Sequence, residues 1–223
     1  MDAEAGADGQ HRGGGLTMAR ARVLGGGSAT SGRSARTVVL GISGASGAAY
    51  GVRVLEELSG RTDVRVHLIV TAAARRLVED ETGMDIGALE AMAHKAWPDS
   101  RMEAPLASGS FHVDATAVVP CSMSTVGKLA SGVADTLLTR ACAVALKERR
   151  RLVVVAREMP LSTVDLRNLT SLSEAGAVVM VASPPFYTRP RRVDDLVDLV
   201  AGRVVQSMGF DPGILLKRYM GPQ

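Results

Sequence analysis

The chain has 223 residues, of which 46% are hydrophobic, and a formal net charge of +3. This length supports one sizeable α/β domain, and no apolar run reaches the roughly 18 residues of a membrane span. Residues 1–36 account for +2 of the net charge, so the rest of the chain is nearly neutral, which argues against a nucleic-acid surface. The two cysteines and four histidines show neither a disulfide framework nor a zinc-type cluster, and we expect a cytoplasmic protein.

Residues 1–36 are rich in Gly, Ala, Ser and Arg and lack apolar periodicity. This composition predicts a disordered N-terminal tail, and the absence of an apolar core segment argues against a signal peptide. We expect residues 37–209 to form a single domain and residues 210–223 to form a C-terminal tail.

The first predicted unit contains a glycine-rich turn. Thr37–Leu40 has the pattern of a buried strand, 41–47 is glycine-rich, and a helical pattern starts at Ala48. Glycines and a helix N-terminus favour a bound phosphate, and Ser43 and Ser46 add hydroxyl donors. The spacing G-x-x-G-x-x-G differs from the dinucleotide fingerprint, and a tight turn without a ligand explains these residues equally well.

Apolar strands and helices alternate along the rest of the predicted domain. Nearly unbroken apolar strands are typical of a parallel sheet that helices cover on both faces. We therefore predict a single doubly wound, mainly parallel α/β sheet. The further predicted strands are Val64–Val70, Ala115–Val119, Leu152–Ala156 and Ala177–Val181, and the further helices are Ala72–Glu81, Asp85–Ala96, Ser122–Ala130, Thr136–Lys147, Ser162–Leu172 and Val193–Met208.

Polar side chains follow every predicted strand. Ligands of open α/β sheets bind outside the carboxyl ends of the strands. Four of the five sets include hydroxyl groups, which suit phosphate or ribityl oxygens, so we predict a phosphorylated ligand. The sets are Ser43 and Ser46, then Thr71, then Ser122–Thr125, then Arg157 and Glu158, then Ser183 and Tyr187.

Six motifs occur in a fixed order along the domain. They are SGASG (43–47), ASGS (107–110), PCSMST (120–125), LKERR (146–150), REMPLS (157–162) and PPFYTRP (184–190). Together they resemble the UbiX-type flavin prenyltransferase family, over Val38 to about Gly209. The PASANT run and the catalytic histidine of the related cysteine-type decarboxylases are missing.

The resemblance implies a flavodoxin-like or Rossmann-like three-layer subunit in a homo-oligomer, a dodecamer with sites shared between subunits. It implies reduced FMN as the prenyl acceptor and dimethylallyl monophosphate as the donor, without a metal. The product would be prenylated FMN, substituted at N5 and C6, which a UbiD-type decarboxylase would use.

The resemblance also implies roles for individual residues. Glu158 matches the acid/base carboxylate, and Ser46 could relay a proton with it. Lys147, Tyr187 and Arg203 match the group that binds the phosphate of the prenyl donor. The positions that match the FMN-binding residues are Gly44, Ala45, Ser46, Thr71, Ser122, Met123, Ser124, Thr125 and Arg157.

Each role has an alternative that needs no ligand. Glu158 could stabilise a helix N-terminus, and Lys147 could be a solvated cation at a helix end. Tyr187 could fill the core, whereas Arg203 lies near an apolar helix face and would need a partner there. Two other functions stay open, an FMN-dependent decarboxylase of the cysteine type and a non-catalytic flavin carrier.

Overall fold

A computed structural model describes residues 35–217, and its centre is one sheet of six parallel strands. The strand order is β3-β2-β1-β4-β5-β6, so the direction of winding reverses between β1 and β4. Such a reversal is where doubly wound sheets open a crevice for a ligand. The strands are β1 (Arg36–Ile42), β2 (Val64–Val70), β3 (Lys95–Pro98), β4 (Ala115–Cys121), β5 (Arg151–Ala156) and β6 (Val178–Val181).

Helices cover both faces of the sheet. Alternate residues of β1 point to opposite faces, so Val38 and Leu40 join one buried cluster and Val39 joins another. The predicted doubly wound α/β architecture with three layers is therefore confirmed. The helices are α1 (Ala48–Ser59), α2 (Ala72–Thr82), α3 (Ile86–Met92), α4 (Met123–Ala130), α5 (Leu137–Lys147), α6 (Thr163–Glu174), α7 (Val193–Ser207) and α8 (Ile214–Lys217), with a 3-10 turn at Pro105–Ala107.

The predicted helix Asp85–Ala96 is wrong in its second half. Asp85 does cap α3, because its carboxylate accepts from the backbone N–H of Ala88 at 3.0 Å, but the helix ends at Met92. Lys95–Pro98 then forms the edge strand β3 beside β2. Only Trp97 of this strand is buried, so the segment carries almost no periodic signal.

The termini of the described chain depart slightly from the predicted boundaries. Helix α8 lies within the predicted C-terminal tail, and its Leu215 packs into the core. At the other end, Arg36 already belongs to β1, and its guanidinium lies 3.4 Å from the ring centroid of Phe210. The predicted disordered tail lies otherwise outside the described residues.

In the part of the chain that the structure describes, no helix is both long enough and apolar enough to cross a membrane.

Candidate active site

A buried serine joins the two strands at the reversal of winding. The Ser43 hydroxyl donates to the carbonyl of Pro120 at 3.1 Å and accepts from the N–H of Ser122 at 2.8 Å. Ser43 is almost completely buried, so these bonds are shielded from water. They hold the turn after β1 against the start of α4, which brings Gly44 and Ser122 to the same crevice.

This crevice is a cavity of about 380 Å³, which we call the switch-point cavity. Five of the nine predicted FMN-binding residues line it, and they come from three separate strand ends, as the sequence predicts. Gly44 permits the tight packing of its wall, because a Cβ atom there would lie 2.6 Å from the Cβ of Ala73. The lining residues are Gly44, Thr71, Ala72, Ala73, Asp99, Ser122, Ser124, Thr125, Lys128, Thr136, Leu138 and Thr139.

Two helices begin at the wall of the switch-point cavity. Ser122 is the N-cap of α4, and its hydroxyl accepts from the N–H of Thr125 at 3.3 Å. Thr71 caps α2 in the same way through the N–H of Ala74. The other first-turn N–H groups of α4, those of Met123 and Ser124, have no acceptor within the helix, so a phosphate at the start of α4 would satisfy them. The hydroxyl groups and N–H groups present here fit the phosphate of FMN.

The start of α1 is already occupied by a carboxylate. Glu81 of α2 accepts from the N–H groups of Gly47 and Ala48, both at 2.8 Å. The helix N-terminus that the sequence suggests for a phosphate is therefore closed, and α4 offers the open one. Sequence reasoning missed Glu81, because it lies 34 positions from Gly47 and follows no local motif. Of the neighbouring turn residues, Ala45 is buried and Ser46 is exposed.

Arg157 links three strand ends beside this turn. Its N–H donates to the carbonyl of Cys121 at 3.2 Å, and its Nε donates to the carbonyl of Ser46 at 2.9 Å. The side chain thus spans from β5 to the turn after β1 and lies next to the predicted flavin-binding residues. Met123, which is half-buried against the core on the α4 side, does not line the switch-point cavity.

Glu158 lies in a second cavity, of about 460 Å³, which we call the β5 cavity. Its carboxylate is exposed and accepts from the N–H of Met159 at 3.1 Å. The alternative role as a helix-terminal charge is wrong, because α6 begins only at Thr163 and Ser162 and Asp165 form its capping box. The β5 cavity is lined by Arg157, Glu158, Met159, Pro160, Leu161, Val181, Ala182 and Ser183.

Tyr187 and Arg203 face a third cavity, of about 410 Å³, which we call the β6 cavity. It shares Val181 and Ser183 with the β5 cavity, so the two are adjacent. Tyr187 is 75% exposed, which excludes the core-filling role. Arg203 is also exposed and donates to the Oε1 of Gln206 at 2.6 Å, so the partner that the sequence predicts for it is present within α7 itself. The β6 cavity is lined by Met180, Val181, Ser183, Pro185, Tyr187, Leu199, Val200, Arg203 and Leu216.

Lys147 does not lie at the carboxyl ends of the strands, where Glu158, Tyr187 and Arg203 are found. It ends α5, which returns to the beginning of β5, and its ammonium is exposed and paired with Glu148. The six residues of β5 separate it from Glu158, which corresponds to about 20 Å of extended strand. The structure therefore does not bring Lys147 together with Tyr187 and Arg203 within one chain.

The two free cysteines, Cys121 and Cys142, are buried. Burial raises the pKa of the Cys142 thiol to about 12 and that of Cys121 well above its ordinary value. Both thiols are therefore protonated and poor nucleophiles at neutral pH. Within residues 35–217, no three or more His, Cys, Asp or Glu side chains are grouped in a way that could hold a metal ion.

Solved structures share this architecture. The crystal structure of AnUbiX (PadA1), in complex with FMN and dimethylallyl pyrophosphate, superposes with a TM-score of 0.78 at 40% identity, covering 80% of this chain and 95% of that one. A dodecameric, FMN-dependent Ubix-like decarboxylase from Escherichia coli O157:H7 gives a TM-score of 0.77 at 39% identity, with 78% and 95% covered. The cysteine decarboxylase TvaF shares the fold alone, with a TM-score of 0.56 at 20% identity.

Sequence comparisons identify the family. The family model described as Flavoprotein matches residues 27–205. Flavin prenyltransferase UbiX of Thermoplasma acidophilum is 48% identical over 182 residues, which are 82% of this chain and 99% of that protein. UbiX of Escherichia coli K12 is 39% identical over 187 residues, which are 83% of this chain and 99% of that protein. The chain therefore belongs to the UbiX-type flavin prenyltransferases within the flavoprotein family.

Proposed function

We propose that this protein joins a dimethylallyl group from dimethylallyl monophosphate to N5 and C6 of reduced FMN, giving prenylated FMN. One observation carries the proposal. The switch-point cavity and the β6 cavity, each suited to a phosphate, lie at the carboxyl ends of the strands, as does the exposed carboxylate of Glu158. A flavin carrier would need only the first of these cavities, which argues against the non-catalytic alternative.

We assign the acceptor to the switch-point cavity. Thr71, Ser122, Ser124 and Thr125 would hold the phosphate of FMN with their hydroxyl groups and with the first-turn N–H groups of α4. The turn formed by Gly44, Ala45 and Ser46, together with Met123 and Arg157, would contact the rest of the flavin. When bound, reduced FMN supplies the nucleophilic nitrogen and carbon atoms that receive the prenyl group.

The donor would bind beside Glu158, in the β6 cavity. Arg203 and Tyr187 can donate to its phosphate, and the apolar side chains of Leu199, Val200 and Leu216 line the same space. Charge-assisted bonds to the departing phosphate lower the barrier to breaking the bond between the allylic carbon and oxygen. The chain's own task is then chiefly to hold the two substrates in contact.

Lys147 would complete the donor site from a second copy of the chain. Lys147 lies at the amino ends of the strands, too far from the donor cavity of its own subunit to contribute there. The exposed ammonium of Lys147 from a neighbouring subunit could reach that cavity. Large exposed apolar side chains lie at and beside this cavity, as expected of a surface that another subunit covers. Val181 lines it, Met159 lines the adjacent β5 cavity, and Phe186 directly precedes Tyr187. We therefore propose a homo-oligomer with shared sites, and a dodecamer by analogy with the relative of that size.

Glu158 is assigned the role of acid and base. Bond formation at N5 releases a proton, which the departing phosphate can take up. Ring closure at C6 would break the double bond of the prenyl group, so one carbon of that bond gains a proton while C6 loses one. Glu158 can hold such a proton at its carboxylate and pass it on, with the exposed hydroxyl of Ser46 as a relay. The product would serve a UbiD-type decarboxylase, the partner that the resemblance implies.

The decisive experiment is anaerobic incubation of the protein with reduced FMN and dimethylallyl monophosphate. Recovered flavin should gain the mass of one prenyl unit and change its absorbance spectrum. Bound but unmodified FMN would instead support the carrier. Oxidative decarboxylation of a peptide with a C-terminal cysteine would support the cysteine-type decarboxylase.

A further inference from the structure

One lysine lines the switch-point cavity, and neither the motifs nor the proposed mechanism gives it a role. Lys128 lies on α4, four residues after Ser124, so both side chains are on the same helix face. Among the described residues that line this cavity, Lys128 is the only cation.

The ammonium of Lys128 is held in place rather than free in solvent. Its Nζ donates to both carboxylate oxygens of Asp135, at 3.0 and 2.8 Å, and this bond lowers the pKa of Asp135. Asp135 directly precedes Thr136, the N-cap of α5, so the lysine connects α4 to the start of α5. An ammonium has three donors, so at least one remains for a ligand in the cavity.

The other charged side chain of the cavity is engaged elsewhere. Asp99 accepts from the N–H of Leu138 at 2.8 Å through its carboxylate, and its carbonyl accepts from the N–H of Leu137 at 2.7 Å. It therefore stabilises the N-terminus of α5 and does not pair with Lys128. The remaining donors that line the cavity are hydroxyl groups and backbone N–H groups, which carry no net charge. A phosphate dianion placed there finds its positive partner only in Lys128.

We propose that Lys128 is the charge partner of the flavin phosphate and makes the cavity select FMN over riboflavin. The inference rests on the proposed function, because it assumes that FMN occupies the switch-point cavity. It adds a specificity-determining residue whose contribution is electrostatic, so it acts on the phosphate group and not on the flavin ring.

The test compares the affinities of FMN and riboflavin in Lys128→Met, which keeps an unbranched apolar side chain and removes the charge. Dissociation constants are measured by quenching of flavin fluorescence at low and high salt. FMN should bind about 10-fold more weakly or worse, whereas riboflavin should change by less than about twofold. The salt dependence of FMN binding should also become shallower. Lys128→Arg should keep most of the affinity for FMN.

Lys95→Met is the matched control, because the substitution removes the same net charge at a residue that does not line the switch-point cavity. Lys95 lies on β3, with its ammonium over the ring of Trp97. It should leave both dissociation constants unchanged. Equal weakening of FMN and riboflavin by Lys128→Met, or weakening of neither, would overturn the inference. In both cases prenylated flavin would still form in the wild-type protein. A wild-type protein that forms no prenylated flavin would instead defeat the proposed function itself.

Discussion

Lys147 and Glu158 lie at opposite ends of β5, although the resemblance to the family implies a role for both in one reaction. The strand between them spans about 20 Å, which no lysine side chain can bridge. A site that uses both groups must therefore take them from different subunits, and we propose on this ground that the oligomer is required for catalysis.

Mixed oligomers test this conclusion. At a donor concentration well below the KM, Lys147→Ala should lose about 10-fold or more of the activity and Glu158→Gln nearly all of it. Co-expression should restore about a quarter of the wild-type activity, because random assembly leaves that share of sites with both native residues. The measurement is prenylated flavin formed per subunit, with native mass spectrometry to verify mixed assembly. Mixed oligomers without recovered activity would show that the two residues do not act in a shared site.

The second prediction concerns the carboxylate itself. Glu158→Gln keeps the size of the side chain and an acceptor for the N–H of Met159 but removes the proton-accepting charge. We expect turnover to fall by roughly 10²–10⁴-fold while the affinity for FMN is retained. Glu174→Gln, at the exposed end of α6, is the matched control. Wild-type turnover in Glu158→Gln would remove this residue from the mechanism.

The third prediction concerns Arg203. Its guanidinium is exposed and bonded only to Gln206 among the described residues, so Arg203→Ala should not lower the melting temperature. The KM for dimethylallyl monophosphate should rise about 10-fold or more, because a charge-assisted bond to a phosphate contributes about 1.5–3 kcal/mol.

Gln206→Ala removes the same hydrogen bond but keeps the cation, so its KM should stay close to that of the wild type. A lower melting temperature with an unchanged KM in Arg203→Ala would indicate that Arg203 is a structural residue rather than a donor ligand.

Much of the fold follows from local sequence signals. Five of the six strands are predicted within a few residues, and Ser162 and Asp85 cap helices as expected. Strand β3 is missed because a short edge strand with one buried side chain has no periodicity to detect.

The candidate site is predictable to the extent that strand order places it. The rule about carboxyl strand ends correctly groups Thr71 with Ser122 around one cavity, whereas Glu158 and Tyr187 line two other cavities. The same rule could have separated Lys147 from Glu158, since a helix that leads into a parallel strand ends near the amino end of that strand. The hydrogen bond from the N–H of Gly47 to the carboxylate of Glu81 could not be predicted from the sequence, because it depends on how α2 packs against α1.

The fourth prediction concerns the packing of α1 on the sheet. A Cβ atom at Gly51 would lie 2.3 Å from the carbonyl oxygen of Val119 and 2.9 Å from Ile42. Gly51→Ala should therefore destabilise the fold by about 1–3 kcal/mol despite the better helix propensity of alanine.

Thermal unfolding of the flavin-free protein measures this effect. Gly60→Ala is the control, because Gly60 has right-handed helical geometry and its Cβ would meet only Glu56 and Glu57 carbonyl oxygens, at 3.5 and 3.9 Å. Equal stability of the two variants would contradict the tight contact between α1 and β4.

The last prediction is a pH dependence of stability that arises from His67. This side chain is buried on β2 and accepts at Nδ1 from the indole N–H of Trp97 at 2.9 Å. Burial, together with the nearby His94, Lys95 and Arg65, lowers its pKa from 6.5 to about 4. The unfolded chain therefore binds the proton more readily than the folded one between these two values. The stabilisation that arises from keeping His67 neutral is complete above pH 6.5 and is lost as the pH falls towards 4. The free energy of unfolding should fall by about 1–3 kcal/mol over this range.

Urea unfolding at pH 7 and at pH 4.5 should show this loss in the wild type and a smaller loss in His67→Gln. His112→Gln is the control, because the side chain of His112 is 75% exposed and should not change the difference between the two pH values. A wild-type pH dependence that survives intact in His67→Gln would show that other groups cause it. The carboxylates that are bonded in the folded state contribute to acid sensitivity in both proteins, so only the difference between the variants measures the histidine.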